Sequence, residues 1–210
     1  MSWLILDPGF LSTIQDFGRF GYQDQGIPTS GAMDMEAMIL ANRLVGNPDD
    51  EALIEMNGTG MNVQVKADCS IALSGVITTI EVNQKNYHEN EVISLKAQDS
   101  FRILPFQEGF RGYLSVSGGF GIPPYLGSCS TTLLAGIGGH QGRALKRQDE
   151  LSLKNPGHPP AASFQIRSQP IPVNPILHVI LGPQTAWFTP EAIEAFFKNS
   201  YHVRSDSNRM

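Results

Sequence analysis

The stretch MNVQVKADCSIALSGVITTIEVN, Met61–Asn83, decides the fold class. Its first seven residues, Met61–Ala67, alternate apolar and polar side chains, the two-residue period of a half-buried strand. Cys69–Gly75 and Val76–Asn83 read as two more strands. Glu91–Ala97, Ser100–Phe106 and Gly112–Gly119 extend the series downstream, and MSWLILDPGF, Met1–Phe10, supplies a first strand upstream. Many short strands with turn residues at close intervals predict an antiparallel sandwich or barrel, so the fold class is mainly β.

Two helices interrupt this pattern. Asp34–Asn47 places Met35, Met38, Ile39, Asn42 and Val45 on one face. Asp34 suits its positive end, and Gly46 followed by Pro48 stops it. Thr189–Asn199 begins with a capping threonine, Pro190 and Glu191. Pro, Gly and Ala are dense from Asn155 to Phe164 and again from Ser168 to Pro175. The expected organisation is therefore an N-terminal domain over residues 1–160, a linker over 161–175, and a second unit over 176–210 that opens with the strand Ile176–Gly182.

Composition narrows the function. The 210 residues can bury roughly 70% of their unfolded surface, enough for a core without disulfides or metal. The 21 glycines and 14 prolines favour turns over long helices. A net charge of −5 argues against nucleic acid as a partner. Two isolated cysteines, Cys69 and Cys129, with no zinc spacing imply no metal site and a reducing, cytoplasmic location. The apolar run at the N-terminus is too short for a signal peptide, and no window is long enough to cross a membrane. A Walker A loop, a GxSxG elbow and an HExxH motif are all missing from the sequence.

Three polar clusters remain. The first is QDFGRFGYQDQGIPTSGAMD, Gln15–Asp34. Arg19 offers a fork of donors suited to a carboxylate or phosphate, or forms an ordinary ion pair. Tyr22, Ser30 and Asp34 lead into a helix N-terminus, where Ser30 or Asp34 can also serve as cap. The second is SVSGGFGIPPYLGSCSTTL, Ser115–Leu133. The amides of Gly118 and Gly119 can form an oxyanion pocket, and Ser128 and Thr131 can bind a ligand or the local backbone. The third is GIGGHQGRALKRQDEL, Gly136–Leu151. Here Gly139 precedes His140, a proton carrier near neutral pH or a turn residue. Arg143 can clamp an anion or pair with Asp149 or Glu150.

These clusters, in this order, resemble the KipI-antagonist family, which is the allophanate hydrolase subunit 2, or carboxyltransferase-type, family. It includes the C subunit of the ATP-dependent 5-oxoprolinase. The likeness rests on LDPGFLSTIQDFGRFGYQDQGIPTSGAMDMEAMILANRLVGN, on VSGGFGIPPYLGSCSTTLLAGIGGHQGRALKRQDEL and on YHVRSDSNRM. Family members continue beyond a Ser-Asp-Arg-Met-Gly motif. Here that motif reads Ser207, Asn208, Arg209, Met210 and the sequence ends, so the resemblance implies a shortened second domain.

The resemblance implies a cyclophilin-like β-barrel with one or two helices and the beginning of a second, similar barrel. It implies a site shared with a KipI-like B subunit and assisted by a hydrolase-like A subunit. The reaction would be ATP-dependent cleavage of 5-oxo-L-proline to L-glutamate, with magnesium accompanying ATP. Two alternatives are a biotin-dependent carboxyltransferase half acting on urea or another amide, with biotin on a partner, and a non-catalytic antagonist of a KipI-like kinase inhibitor. Asp34 and His140 are the expected proton-handling residues. Arg19, Tyr22, Ser30, Gly118, Gly119, Ser128, Thr131, Gly139 and Arg143 are the expected binding residues.

Overall fold

The computed structural model describes residues 1–155, 176 and 178–202. The N-terminal unit contains eleven strands: β1 (Ser2–Asp7), β2 (Leu11–Gln15), β3 (Leu53–Asn57), β4 (Asn62–Val65), β5 (Cys69–Ser74), β6 (Thr79–Val82), β7 (Lys85–His88), β8 (Ile93–Leu95), β9 (Ser100–Ile103), β10 (Arg111–Val116) and β11 (Glu150–Ser152). They form two antiparallel sheets. One runs β11-β1-β4-β9-β6-β7 and the other β2-β3-β10-β5-β8.

The alternating residues of Met61–Ala67 explain why the sheets pack. Val63 and Val65 point inward with Trp3, Ile5, Ile80, Phe101 and Leu151 of the same sheet. They meet Ile14, Ile54, Ile71, Leu73, Leu114 and Val116 of the other. Trp3 anchors this core, with its ring edge-on to Phe101 at 5.4 Å and to Phe120 at 5.1 Å. Burial pushes the neighbouring Cys69 thiol up to about 11.

The five-stranded sheet is buried on both faces because helix α1 (Met35–Leu44) covers its outer side. Asp34 caps α1, its carboxylate accepting from the Ala37 amide at 3.0 Å. At the other end, Gly46 N–H bonds Arg43 O and Asn47 N–H bonds Asn42 O, with Gly46 at φ +77°, a Schellman stop. The buried stripe differs from the expected one. It consists of Ala37, Met38, Ala41, Asn42 and Leu44, while Met35 is exposed. Close approach selects the small residues: a Cβ on Gly75 would lie 3.2 Å from Ala37 Cβ, and Ser74 Oγ donates to Ala37 O at 2.5 Å.

Four strands escape the sequence reading. β3 is buried at every position, so it carries no alternation. β2 runs straight into the polar stretch after it, and β11 has only three residues. β7 follows β6 through Asn83 and Gln84, at φ +48° and +67°, a tight hairpin without the usual Asn-Gly signature. Val76–Asn83 is a strand only from Thr79 onward.

In the C-terminal unit, α2 (Pro190–Lys198) forms as expected, with Thr189 Oγ1 accepting from the Ala192 amide. The expected strand Ile176–Gly182 is corrected: its described residues pair with no strand among those described, and Ile180 is fully exposed. A strand needs another strand to pair with, and these residues have none among those described, Gly182 O instead accepting from the turn residue Thr185. The linker 161–175 and the motif Ser207–Met210 lie outside the described residues.

Leu114→Ala, at the centre of the core, is expected to lower unfolding stability by about 2–5 kcal/mol in urea titrations. A loss under about 1 kcal/mol would contradict the packing described here.

Candidate functional site

The stretch after β2 closes on itself. Arg19 N–H bonds Thr29 O at 2.7 Å and Ala32 N–H bonds Asp16 O at 2.8 Å. Gly31, at φ +90°, lets the two arms touch, since a Cβ there would lie 2.8 Å from Phe17 O. From the neck of this loop two buried charges reach across to Tyr125–Thr132.

Asp16 accepts from the hydroxyls of Ser128, at 2.6 Å, and Ser130, and from the amides of Cys129 at 2.5 Å and Gly18 at 2.8 Å. Arg19, 1% exposed, donates from Nε to Tyr125 O at 2.9 Å, from Nη1 to Thr132 Oγ1 at 3.0 Å, and from Nη2 to Ser130 O at 3.0 Å. The carboxylate thus collects donors from one side of the loop and the guanidinium collects carbonyls from the other. Ser30, at φ +57°, joins through its hydroxyl, 2.8 Å from Thr132 Oγ1. Thr131 Oγ1 donates to Ile14 O at 3.0 Å, and Gly139 N–H donates to Cys129 O at 2.9 Å. Gly138 is fitted against the same group, for its Cβ would stand 2.7 Å from Arg19 Nη2 and 2.1 Å from Ser130 O.

Arg19, Ser30, Ser128, Thr131 and Gly139 are therefore brought together, and their bonds hold loop to loop. Tyr22 is half-buried at the start of the short turn Gln23–Gln25. Gly118 and Gly119 sit elsewhere, at the end of β10. Gly118 N–H bonds Asn47 Oδ1 at 2.9 Å and Gly119 N–H bonds Val116 O at 3.0 Å. Both amides expected to form an oxyanion pocket are spent on the chain itself.

Arg143 takes the structural alternative, gripping both oxygens of Asp149 at 2.7 and 2.8 Å. His140 Nε2 lies 3.6 Å from the same carboxylate. Hydrogen bonding from Arg143 holds the Asp149 carboxyl below its usual range.

A second polar grouping lies on the outer face of the five-stranded sheet. Strand register sets Thr13, Glu55 and Tyr113 side by side across β2, β3 and β10, with Leu11, Asn57 and Arg111 in the next row. Glu55 is fully buried. Its carboxylate accepts from the Met33 amide at 3.0 Å and faces Arg111 Nε at 4.0 Å. Tyr113 Oη accepts from the Asp34 amide at 2.8 Å. Burial, then the charge of Glu55, push the Tyr113 phenol well above the usual tyrosine range. The carboxylate of Glu55 and the phenol of Tyr113 thus meet beneath the turn that leads to the exposed Asp34, with Arg111 facing the carboxylate and Asn57 in the next row, its Nδ2 donating to Leu11 O at 3.4 Å. Glu55, Tyr113 and Asn57 are buried and bonded to the chain, while the half-buried Arg111 and the exposed Asp34 are within reach of solvent. The sequence carries one signal of it: Glu55 is an isolated acid inside the apolar run ALIEM, and a buried charge needs a reason. Among the described residues no group of three or more His, Cys, Asp or Glu is placed to hold a metal.

Two outcomes test this geometry. Arg19→Lys, which keeps the charge and loses the fork, is expected to lower stability by about 3 kcal/mol in urea. A change within about 0.5 kcal/mol would show that the clamp is dispensable. Asp149 has a depressed pKa, so its stabilisation is complete above the usual carboxylate range and fades as pH falls through it. The melting-temperature gap between the wild type and Asp149→Asn is therefore expected to be widest near neutrality and to close below about pH 4. A gap independent of pH would refute the assignment.

The comparisons with known proteins agree with this architecture. Residues 25–210 match the family described as carboxyltransferase domain, subdomain A and B. The chain is 34% identical to a urea amidolyase of Lachancea kluyveri over 98% of its own length and 12% of that protein's. It is 33% identical to the 5-oxoprolinase C subunit of Escherichia coli over 98% of its own length and 66% of that protein's. The chain thus spans less than two thirds of each of these curated relatives. The crystal structure of Kluyveromyces lactis urea amidolyase superposes on 99% of this chain and 13% of that one, with a TM-score of 0.84 at 34% identity. The mainly β, cyclophilin-like expectation is borne out by this likeness. By sequence and by fold, the chain belongs to the carboxyltransferase A and B subdomain family.

Proposed function

We propose that this chain is the C subunit of an ATP-dependent 5-oxoprolinase, contributing half of a site completed by a KipI-like B subunit and working with a hydrolase-like A subunit. The observation that carries the reading is the 33% identity to the Escherichia coli 5-oxoprolinase C subunit across 98% of this chain. A second such protein, from Haemophilus influenzae, is 32% identical over 98% of the chain.

The chemistry asks for an activated amide. A five-membered lactam is a poor electrophile; phosphorylation of its oxygen by ATP activates the ring carbon, water adds there, the C–N bond opens to leave an acyl phosphate, and a second water releases phosphate and glutamate. Among the described residues, the groups expected to grip a triphosphate are not free to do so. The Arg19 fork, the Arg143 fork and the Gly118 and Gly119 amides are all bonded internally. In this reading nucleotide binding, with its magnesium, belongs to another member of the complex. The chain's own contribution is to the lactam. Arg111, half-buried at the start of β10, orients its polar edge, and Asp34, exposed at the start of α1, takes a proton from the attacking water and delivers it to the ring nitrogen as the C–N bond opens. His140, facing Asp149, is the second proton-handling group.

The runner-up is carboxyl transfer from carboxybiotin on a partner to urea or another amide. The 34% identity and the TM-score of 0.84 to urea amidolyase favour it next. It uses the same amide-orienting face.

The test is co-expression with the KipI-like and hydrolase-like partners, followed by a 5-oxoproline cleavage assay with and without ATP. ATP-dependent glutamate release is expected, with Asp34→Asn and Arg111→Ala each costing about tenfold or more in kcat/KM. Activity that instead needs bicarbonate and is blocked by avidin would move the assignment to carboxyl transfer. A tight complex with no turnover would leave the antagonist role.

A further inference from the structure

The place of Glu55 calls for an explanation. It is fully buried in the middle of β3, where ionised groups cost several kcal/mol unless bonded. Helix α1 above it does not need that charge in order to form. It has its own cap in Asp34, its own stop at Gly46, and an apolar footing of Ala37, Met38, Ala41 and Leu44.

What Glu55 and Tyr113 do hold is the turn before the helix. They are cross-strand neighbours on adjacent strands, so their side chains rise from one row of the sheet. Glu55 Oε2 takes the Met33 amide at 3.0 Å, and Tyr113 Oη takes the next amide, that of Asp34, at 2.8 Å. Two consecutive amides are thereby fixed to two rigid strands, immediately before the helix. The same carboxylate faces Arg111 Nε at 4.0 Å, so its charge attracts the guanidinium without bonding it directly.

We propose that Glu55 and Tyr113 are positioning residues that set where the Asp34 carboxylate and the Arg111 guanidinium stand relative to each other. The inference rests on reading Asp34 and Arg111 as substrate-handling groups. Sub-ångström placement of such groups governs turnover far more than it governs folding.

Tyr113→Phe removes the bond to the Asp34 amide and the hydroxyl's contact with Glu55, and keeps the ring in place. It is expected to speed amide exchange at Asp34 by about tenfold, with the β3 and β10 amides unchanged. In the reconstituted complex it is expected to lower kcat about tenfold with KM within about twofold. Glu55→Gln keeps an acceptor for the Met33 amide and should lose less than about threefold in kcat, whereas Glu55→Ala should lose about tenfold. If Glu55→Ala does not fold, Tyr113→Phe decides alone. Unchanged Asp34 exchange in Tyr113→Phe overturns the proposal, as does a parallel fall in kcat and rise in KM. A wild-type complex inactive on 5-oxoproline overturns the functional reading instead. The exchange measurement then still separates a held turn from a free one.

Discussion

The N-terminal unit depends on one arrangement: a buried carboxylate and a buried guanidinium, three residues apart, that grip the same distant loop by opposite edges. Asp16 takes hydroxyls and an amide, and Arg19 gives to carbonyls and a threonine hydroxyl. Each charge is costly in a protein interior. Together they satisfy the polar backbone of a segment, Tyr125–Thr132, that has almost no regular structure to satisfy it otherwise. That segment in turn runs beside β2, where the Thr131 amide bonds Ile14 O, and so covers what would be an open sheet edge.

This explains which parts of the site are legible in the sequence. The polar, glycine-rich stretches stand out as places that meet, because such composition cannot build a core. Their task cannot be read there. Arg19 looks the same in one dimension whether its fork faces an incoming anion or four acceptors of its own chain. The same holds for Arg143, where spacing alone leaves the pairing with Asp149 open. Gly118 and Gly119 mislead in a particular way, since their amides are consumed by Asn47 and by the turn at Val116, neither visible as a partner along the chain.

The fold is legible wherever one face of a strand is wet. Alternation marks β4, β6 and β9, whose outer residues are exposed or half-buried. It fails for β3, sandwiched between α1 and the core, and β3 is the strand that carries Glu55. The polar face beside Asp34 goes unseen with it, because that face exists only through register: Thr13, Glu55 and Tyr113 are neighbours across three strands and far apart along the chain. The helix stripe shifts for a related reason. Periodicity favours large apolar residues, whereas the close seat over Gly75 and Ser74 selects Ala37 and Ala41.

The clamp also has a bearing on how the polypeptide matures. Asp16 and its hydroxyl partners are separated by 112 and 114 positions. On a ribosome the acid and the arginine emerge early and remain hydrated until most of the unit has been made. Closure must bear the entropy of a very large ring before its bonds are gained, which places it late in folding. The pairings of β2 with β3, β3 with β10 and β10 with β5 close smaller rings and can form while the clamp is still open, whereas that of β1 with β11 closes a larger one. A nascent barrel at that stage shows its uncovered margin at β2 to whatever chain or chaperone is nearby.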